Sequence, residues 1–568
     1  MEKFFEKNEK YLLAGITGIA AVLRFFRLTR ADMVTDAATY SFRAIGYADT
    51  MVSQVQTTPL QWFGYFPWWS KLSFHDHPPV SFLIQNIFFK IFGVSLLSAR
   101  LPHALFGLLS IIVLYYLAKK LYGIKVALLS SLLLAVSNYH VWTSQSGYIE
   151  PIMIFFILLS FLFWLKAKNN SKFFILWALF FGLAILTKYT ALFLLPVFAV
   201  ILILDKNNFN IVKKSKFFYF SVFLFLLLIL PLAVYNLMMF KTRGHFDLQL
   251  ATLFGQDLSD WSVLSGQKVG INLLGNTKGM FFILLSSSPF MLIIFLAGFV
   301  FMLYDYFVKK AGKHLLMILT LIFLILFFIL TSPAERLLPI FEPFISVVSA
   351  YFLIFLAVKF KVKNFFLFPL LSLTLIYLVV FTVNTNHLYR PNCNSRWIFS
   401  KIRIENWGYN QLNEWLENDV GKSNLSNFRK ITELKDIYML DSNEYNLGKL
   451  YIYDRNVNWF AYLWYFKAKA VYNGLAIIST DDLGEVLMSE KGLETISHLG
   501  RSDTYFIKAT DNVLKDSDKN TSTTAEEIEN QFKESGFLPV KIIKNPRGED
   551  AFKIYSIKSI SVDKDSTL

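Results

Sequence analysis

The sequence predicts a polytopic α-helical membrane protein of about eleven spans with a C-terminal α/β domain. Three observations carry this. The 568 residues are 55% hydrophobic, 17% aromatic and only 17% charged, where soluble proteins carry about 25% charged residues. Apolar runs such as 220–230 recur through the first two-thirds, more than one soluble core could bury. After about residue 388 the charge rises and the long apolar runs stop.

The formal net charge of +15 does not point to nucleic acid, because many of the lysines lie in short clusters between apolar runs. That is the pattern of cytoplasmic loops. The single cysteine, Cys393, leaves no intrachain disulfide.

The elements follow in order. Residues 1–10 are charged and lead into an apolar stretch, but no small-residue cleavage site follows and Arg24 and Arg27 interrupt the run. The segment therefore reads as a retained first span, 11–28, with its basic start in the cytoplasm and the first loop, 29–99, outside. Segment 80–93 is apolar but short of the roughly 20 residues that a crossing needs. Laid flat at the outer surface, it leaves Lys119, Lys120 and Lys125 inside with the other basic clusters. The further spans are 100–118, 124–138, 150–166, 173–187, 190–204, 216–237, 279–306, 314–331, 336–357 and 365–383. As one helix, 173–204 would be about 48 Å long, too long for a hydrocarbon core of about 30 Å. It is read as a tight hairpin turning at Lys188. An odd number of spans puts the C-terminal domain, 388–568, outside the cell.

In that domain, strand-like runs at 437–440, 450–453, 476–479, 504–507, 540–543 and 552–557 alternate with helical stretches at 411–417 and 525–534. Asn545-Pro546-Arg547-Gly548 makes a turn between the last two strands, and 515–524 reads as a polar loop. The chain has no internal repeat, no phosphate-binding glycine loop and no CxxC pair.

The first loop is where the chemistry is expected. It holds Asp32, Asp36, Asp49, His75, Asp76 and His77, with Trp62, Trp68 and Trp69 among them. Other ionisable groups gather at the same outer level: Arg24, Arg27, Arg100, His103, Glu150, Lys188, Glu335, Arg336 and Glu342. Charges at the membrane are costly and usually have a task. Each also has a plainer reading. Arg24 and Arg27 would snorkel to the interface, Arg100 and Arg336 would be anchors, and Glu150 would offset a helix dipole. Lys188 resists such a reading, because outer turns are poor in lysine. His75, Asp76 and His77 could hold a divalent metal from a loop, although His at i and i+2 do not share a helix face.

Several of these motifs resemble one family. Thr35-Asp36 resembles the acidic motif in the first external loop of GT-C membrane glycosyltransferases, in the branch of protein O-mannosyltransferases and aminoarabinose transferases. His77-Pro78-Pro79, Ser98-Ala99-Arg100-Leu101-Pro102 with Leu105-Phe106-Gly107, the stretch from Gly182 to Tyr189, and Glu335-Arg336-Leu337-Leu338-Pro339 resemble further patterns of that branch, in the same order. The resemblance covers 11–385 and implies a GT-C transmembrane catalytic domain, 1–387. It implies a sugar donor linked to a polyprenyl phosphate, such as dolichyl or undecaprenyl phosphate. The hexose would pass, with inversion, to a protein, lipid or polysaccharide acceptor at the outer face. Asp36 would be the general base, His77, Arg100, Lys188 and Arg336 would meet the donor phosphate, and Asp76 or Glu150 would serve the acceptor or act as second acid. Many members have Asp-Glu where this chain has Asp36-Ala37, so a second acid is not supplied there. No cofactor is required by this scheme, and a divalent metal is left open. Trp407-Gly408-Tyr409 resembles the oligosaccharyltransferase acceptor motif only faintly and reads as the start of a helix. The expected setting is the plasma membrane of a prokaryote, with membrane lipids and the lipid-linked donor as partners. A transporter or flippase of lipid-linked sugars is the alternative, and a non-catalytic membrane scaffold is another. Transporters place their sites near the midplane, often between repeats; here the charges lie at one face.

Overall fold

A computed structural model describes residues 2–50, 58–257, 272–331, 333–360, 364–388, 406–421, 428–434, 449–483, 503–514 and 522–557, with positions 425 and 436. Helices fill the first two-thirds, and a five-stranded sheet lies near the C-terminus. The protein is an integral membrane protein. Among the described residues, six helices are long and apolar enough to cross a membrane, or eight if each of two bent pairs counts as one span. Helices Val80–Phe92 and Phe173–Thr187 are apolar but shorter.

Two expected spans are broken. The segment expected as 279–306 is two helices, Leu273–Ser287 and Pro289–Phe307. Ser288 is extended, its hydroxyl accepts the Met291 N–H, and Pro289 stands at the first helical position, so the second helix starts afresh. The segment expected as 124–138 ends earlier, and helices Ile124–Ala135 and Asn138–Ser146 meet at 55°. A break inside a membrane frees backbone carbonyls that need partners. Arg24 supplies them: one guanidinium nitrogen donates to Ala135 O at 2.9 Å and the other to Leu134 O at 3.1 Å. From helix Asn364–Asn386, Thr382 donates to Val136 O at 2.7 Å and Asn386 to Asn138 O at 3.0 Å. Arg24 is fully buried, so it holds a helix break together and does not snorkel.

The first loop is largely helical. Thr35 is extended and the chain turns at Asp36 into helix Asp36–Gly46, most of which is buried. Helix Val80–Phe92 packs on it through polar contacts: Gln85 donates to Ser41 Oγ at 2.9 Å and Asn86 to Ala44 O at 2.7 Å. Gly147 closes over its start. The glycine has φ +84°, and a Cβ there would touch Ala37 at 3.4 Å, so the turn and the contact both favour glycine.

Five of the expected strands form: β1 (Lys449–Tyr453), β2 (Ala476–Ser479), β3 (Asp503–Ala509), β4 (Lys541–Lys544) and β5 (Asp550–Ile557). The sixth, at 437–440, lies outside the described residues, as does most of the expected loop, 515–521. The order is β2-β1-β3-β5-β4, parallel among the first three and antiparallel after. Period-two alternation gives the sheet two buried faces. Tyr451, Tyr453, Phe552 and Ile554 pack with helix Tyr409–Val420. Leu450, Ile452, Phe506 and Tyr555 pack with helix Thr524–Glu534. The sheet domain also rests on the first loop: Tyr472 donates to Phe42 O at 2.8 Å, and its ring lies 5.5 Å from that of Phe42.

Candidate active site

Helix Asp36–Gly46 sets out the site. Asp36, Tyr40 and Arg43 stand at i, i+4 and i+7 and so share one face. Asp36 opens the helix, where a carboxylate complements the free N–H groups of the first turn. It pairs with Arg336, from the turn Glu335–Ile340. Both side chains keep access to solvent, Arg336 at 43% and Asp36 at 20%. The expected base and one expected phosphate partner therefore meet directly.

Tyr40, one turn on, is buried, lies within electrostatic reach of Glu150 and Asp76, and packs edge-on to His77 at 5.2 Å. Glu150 opens helix Glu150–Ala167, which packs against the Arg336 turn. Its Oε1 receives Lys188 Nζ at 2.5 Å, while its Oε2 has no partner among the described residues. Lys188 is extended and breaks the chain between helix Phe173–Thr187 and the turn Tyr189–Phe193. Its ammonium is thus fixed by a buried carboxylate. The next residue, Tyr189, donates to Asp247, which also receives Asn236 Nδ2 at 3.0 Å.

Arg43, two turns from Asp36, is the centre of a buried ionic network. It donates to Asp76 Oδ1 at 2.6 Å, and its Nε lies 3.6 Å from Asp49 Oδ1. Asp49 accepts the His75 N–H at 2.7 Å and faces His75 Nδ1 at 2.9 Å. His77 Nδ1 lies 3.2 Å from Asp76 Oδ2. Burial opposes ionisation of Asp76, but the charge of Arg43 and of both histidines overrides it and holds the carboxyl well below its usual range.

The residues expected to hold a metal do not fit one. His75 is fully buried and turned to Asp49, and a guanidinium stands between Asp49 and Asp76, giving the positive charge a cation would give. No three His, Cys, Asp or Glu groups are arranged around a common point among the described residues. Arg100 also differs from expectation. It is buried and donates to Leu28 O at 3.0 Å, Ala31 O at 2.9 Å and Asp32 O at 3.0 Å. It braces the strand of chain that leads to Asp36, and its terminal nitrogens are spent on carbonyls.

Sequence reasoning missed Arg43 and Asp247, and it named Asp32 without its partners. Arg43 was findable from the helical spacing to Asp36. Asp247 was findable as an Asp ahead of a short apolar run, and it does cap helix Leu248–Leu253. Asp32 had no such signal, since its partners are hundreds of residues away.

The fold and the site can now be set beside known proteins. Residues 76–235 match the family described as dolichyl-phosphate-mannose-protein mannosyltransferase. The structure is similar to that of ArnT from Cupriavidus metallidurans in the apo state, with TM-score 0.53 and 12% identity over 96% of this chain and 98% of that one. The fold is that of the GT-C membrane glycosyltransferases. The GT-C fold is also seen in the Archaeoglobus fulgidus oligosaccharyltransferase, similar with TM-score 0.50 and 13% identity over 89% of this chain and 70% of that one. Two sequence relatives are an uncharacterized Aquifex aeolicus protein and a Bacillus subtilis protein, YkcB, provisionally named a mannosyltransferase. The first is 34% identical over 27% of this chain and 31% of its own length. The second is 33% identical over 23% and 19%. The chain thus spans a third or less of the curated relatives it matches.

Proposed function

We propose that the protein transfers a sugar from a polyprenyl-phosphate-linked donor to an acceptor hydroxyl at the outer membrane face, with inversion. The observation that carries this reading is the pairing of Asp36 with Arg336 at the start of a buried helix whose Tyr40 lies within electrostatic reach of Glu150, the partner of Lys188. The acceptor oxygen attacks the anomeric carbon, its proton passes to the Asp36 carboxylate, and the bond from that carbon to the phosphate oxygen breaks. Negative charge then grows on the lipid phosphate. Arg336 is placed to take that charge, and Asp36, released from the pair, is free to accept the proton. His77 packs on Tyr40 of the same helix face and Lys188 is linked to it through Glu150; both would help orient the phosphate. Glu150, within electrostatic reach of Tyr40, would serve the acceptor. No step passes through a metal.

The donor class is supported by the family matched at 76–235 and by ArnT, whose structure bound to undecaprenyl phosphate is similar with TM-score 0.52. In this reading the N-terminus is cytoplasmic, about eleven segments cross the plasma membrane of a prokaryote, and the C-terminal domain is external. The test is to incubate the purified protein in nanodiscs with polyprenyl-phosphate hexoses and candidate peptide, lipid and glycan acceptors, and to analyse products by mass. A glycosylated acceptor with inverted anomeric configuration supports the reading. Movement of the intact lipid-linked sugar across vesicles without transfer would overturn it.

A further inference from the structure

Residues 30–33, just ahead of the Asp36 helix, are gripped by the C-terminal domain. The Asp32 carboxylate accepts three backbone N–H groups at the start of helix Tyr409–Val420: Trp407 at 2.6 Å, Asn410 at 3.0 Å and Tyr409 at 3.4 Å. A helix start leaves such donors free. Its own flanking residue, Gly408, has no side chain to pair them, so a carboxylate from the membrane domain does so. Asn406 Nδ2 donates to Arg30 O at 2.7 Å, and Asn410 Nδ2 to Arg30 O and Ala31 O, both at 3.2 Å. The Met33 N–H donates to Tyr465 Oη at 2.9 Å, and that hydroxyl donates to Asn410 Oδ1 at 2.6 Å. Arg100 shares the Ala31 carbonyl and also holds that of Asp32. Asp32 is 4% exposed and Met33 1%, so the strand is clamped on both sides in a dry setting. Tyr472, bonded to Phe42 O, fixes the far part of the helix.

We propose that the C-terminal domain positions the Asp36 carboxylate, with Asp32, Asn410 and Tyr465 as positioning residues. This rests on the reading of Asp36 as the base. Only three residues separate Asp32 from Asp36, so little slack lies between clamp and carboxylate. Misplacing a reacting group by about 1 Å can cost on the order of 100-fold in rate. The clamp should therefore act on kcat and leave binding of the lipid donor alone.

The test uses the full chain in nanodiscs, with Asp32→Asn, Asn410→Ala and Tyr465→Phe. The last removes one hydroxyl and leaves the ring packing, so it stays informative if Asp32→Asn fails to fold. Two quantities are measured: amide hydrogen exchange over 30–46, and transfer kinetics with undecaprenyl-phosphate mannose. The inference expects faster exchange over 30–46, kcat lower by about 10–100-fold and KM for the lipid within about two-fold. Unchanged exchange in all three variants overturns it, and so does faster exchange with wild-type kcat. If the wild type transfers nothing, the functional reading falls. The exchange arm still decides whether the domain fixes the helix.

Discussion

Arg336 reaches from the turn after helix Leu315–Thr331 to pair with Asp36 at the start of the buried helix Asp36–Gly46. The two charges satisfy each other in the free protein, and a donor phosphate would compete with Asp36 for the guanidinium. Asp36→Asn keeps the shape and removes the proton acceptor. General-base contributions are about 10²–10⁴-fold. Transfer should fall by about that factor while undecaprenyl phosphate still binds. Wild-type turnover in purified Asp36→Asn would remove the base from the scheme.

Arg336→Ala tests the other half of the pair. A charge-assisted hydrogen bond contributes about 1.5–3 kcal/mol, so catalytic efficiency should fall by roughly ten-fold or more. Arg336→Lys should recover part of it, since a point charge remains but the planar fork does not. Equal kinetics for all three proteins would mean that the pair only tidies the resting site.

The Lys188–Glu150 pair makes a different prediction. Glu150 is fully buried, so Lys188→Ala leaves an uncompensated carboxylate. Removing one partner of such a pair costs about 3–5 kcal/mol. Lys188→Ala should melt at lower temperature, and adding Glu150→Gln should restore much of the loss. Thermal melts in detergent of the two single variants and the double variant read the coupling. Additive effects would show that the contact carries no such coupling.

How far the sequence could be read depends on whether a signal was local. Five strands were legible because apolar runs of four to six residues stood between polar ones. Asp36, Glu150, Lys188 and Arg336 stood out because charge beside long apolar runs is rare, and the structure joins them in two pairs. The break at Ser288-Pro289 carried a local signal too, a cap followed by proline, but the surrounding run is apolar on both sides and masks it. Arg43 was hidden because 29–99 was treated as one loop, and only a helix starting at Asp36 brings the two onto one face. The partners of Arg24, Arg100 and Asp32 are carbonyls or N–H groups of distant segments. Backbone atoms are the same in every residue, so no motif announces them.

Arg43 stands between Asp49 and Asp76, and Arg43→Met would leave both carboxylates buried without it. The loss should again be about 3–5 kcal/mol, seen as a lower melting temperature. Arg43→Met with Asp76→Asn should be more stable than Arg43→Met alone. If Arg43→Met melts like the wild type, the network is not holding the first loop.

Asp32 carries a pH dependence whose sign is fixed. Burial pushes its carboxyl up to about 7, with the N–H groups of Asn410, Trp407 and Tyr409 and the charge of Arg100 pulling the other way. Arg100, Tyr409 and Tyr465 face it, and burial moves both tyrosines up, away from this range. In an unfolded chain the group titrates near about 3.9. Between those values the folded protein keeps a proton that the unfolded chain has released. Its contribution to stability is therefore greatest at low pH, falls as pH rises from about 4 to about 7, and is level above. Melting of the C-terminal domain in the intact protein, followed at about pH 5, 6, 7 and 8, should show that decline in the wild type and lose it in Asp32→Asn. The same slope in both proteins would assign the titration to another group and leave Asp32 ionised throughout.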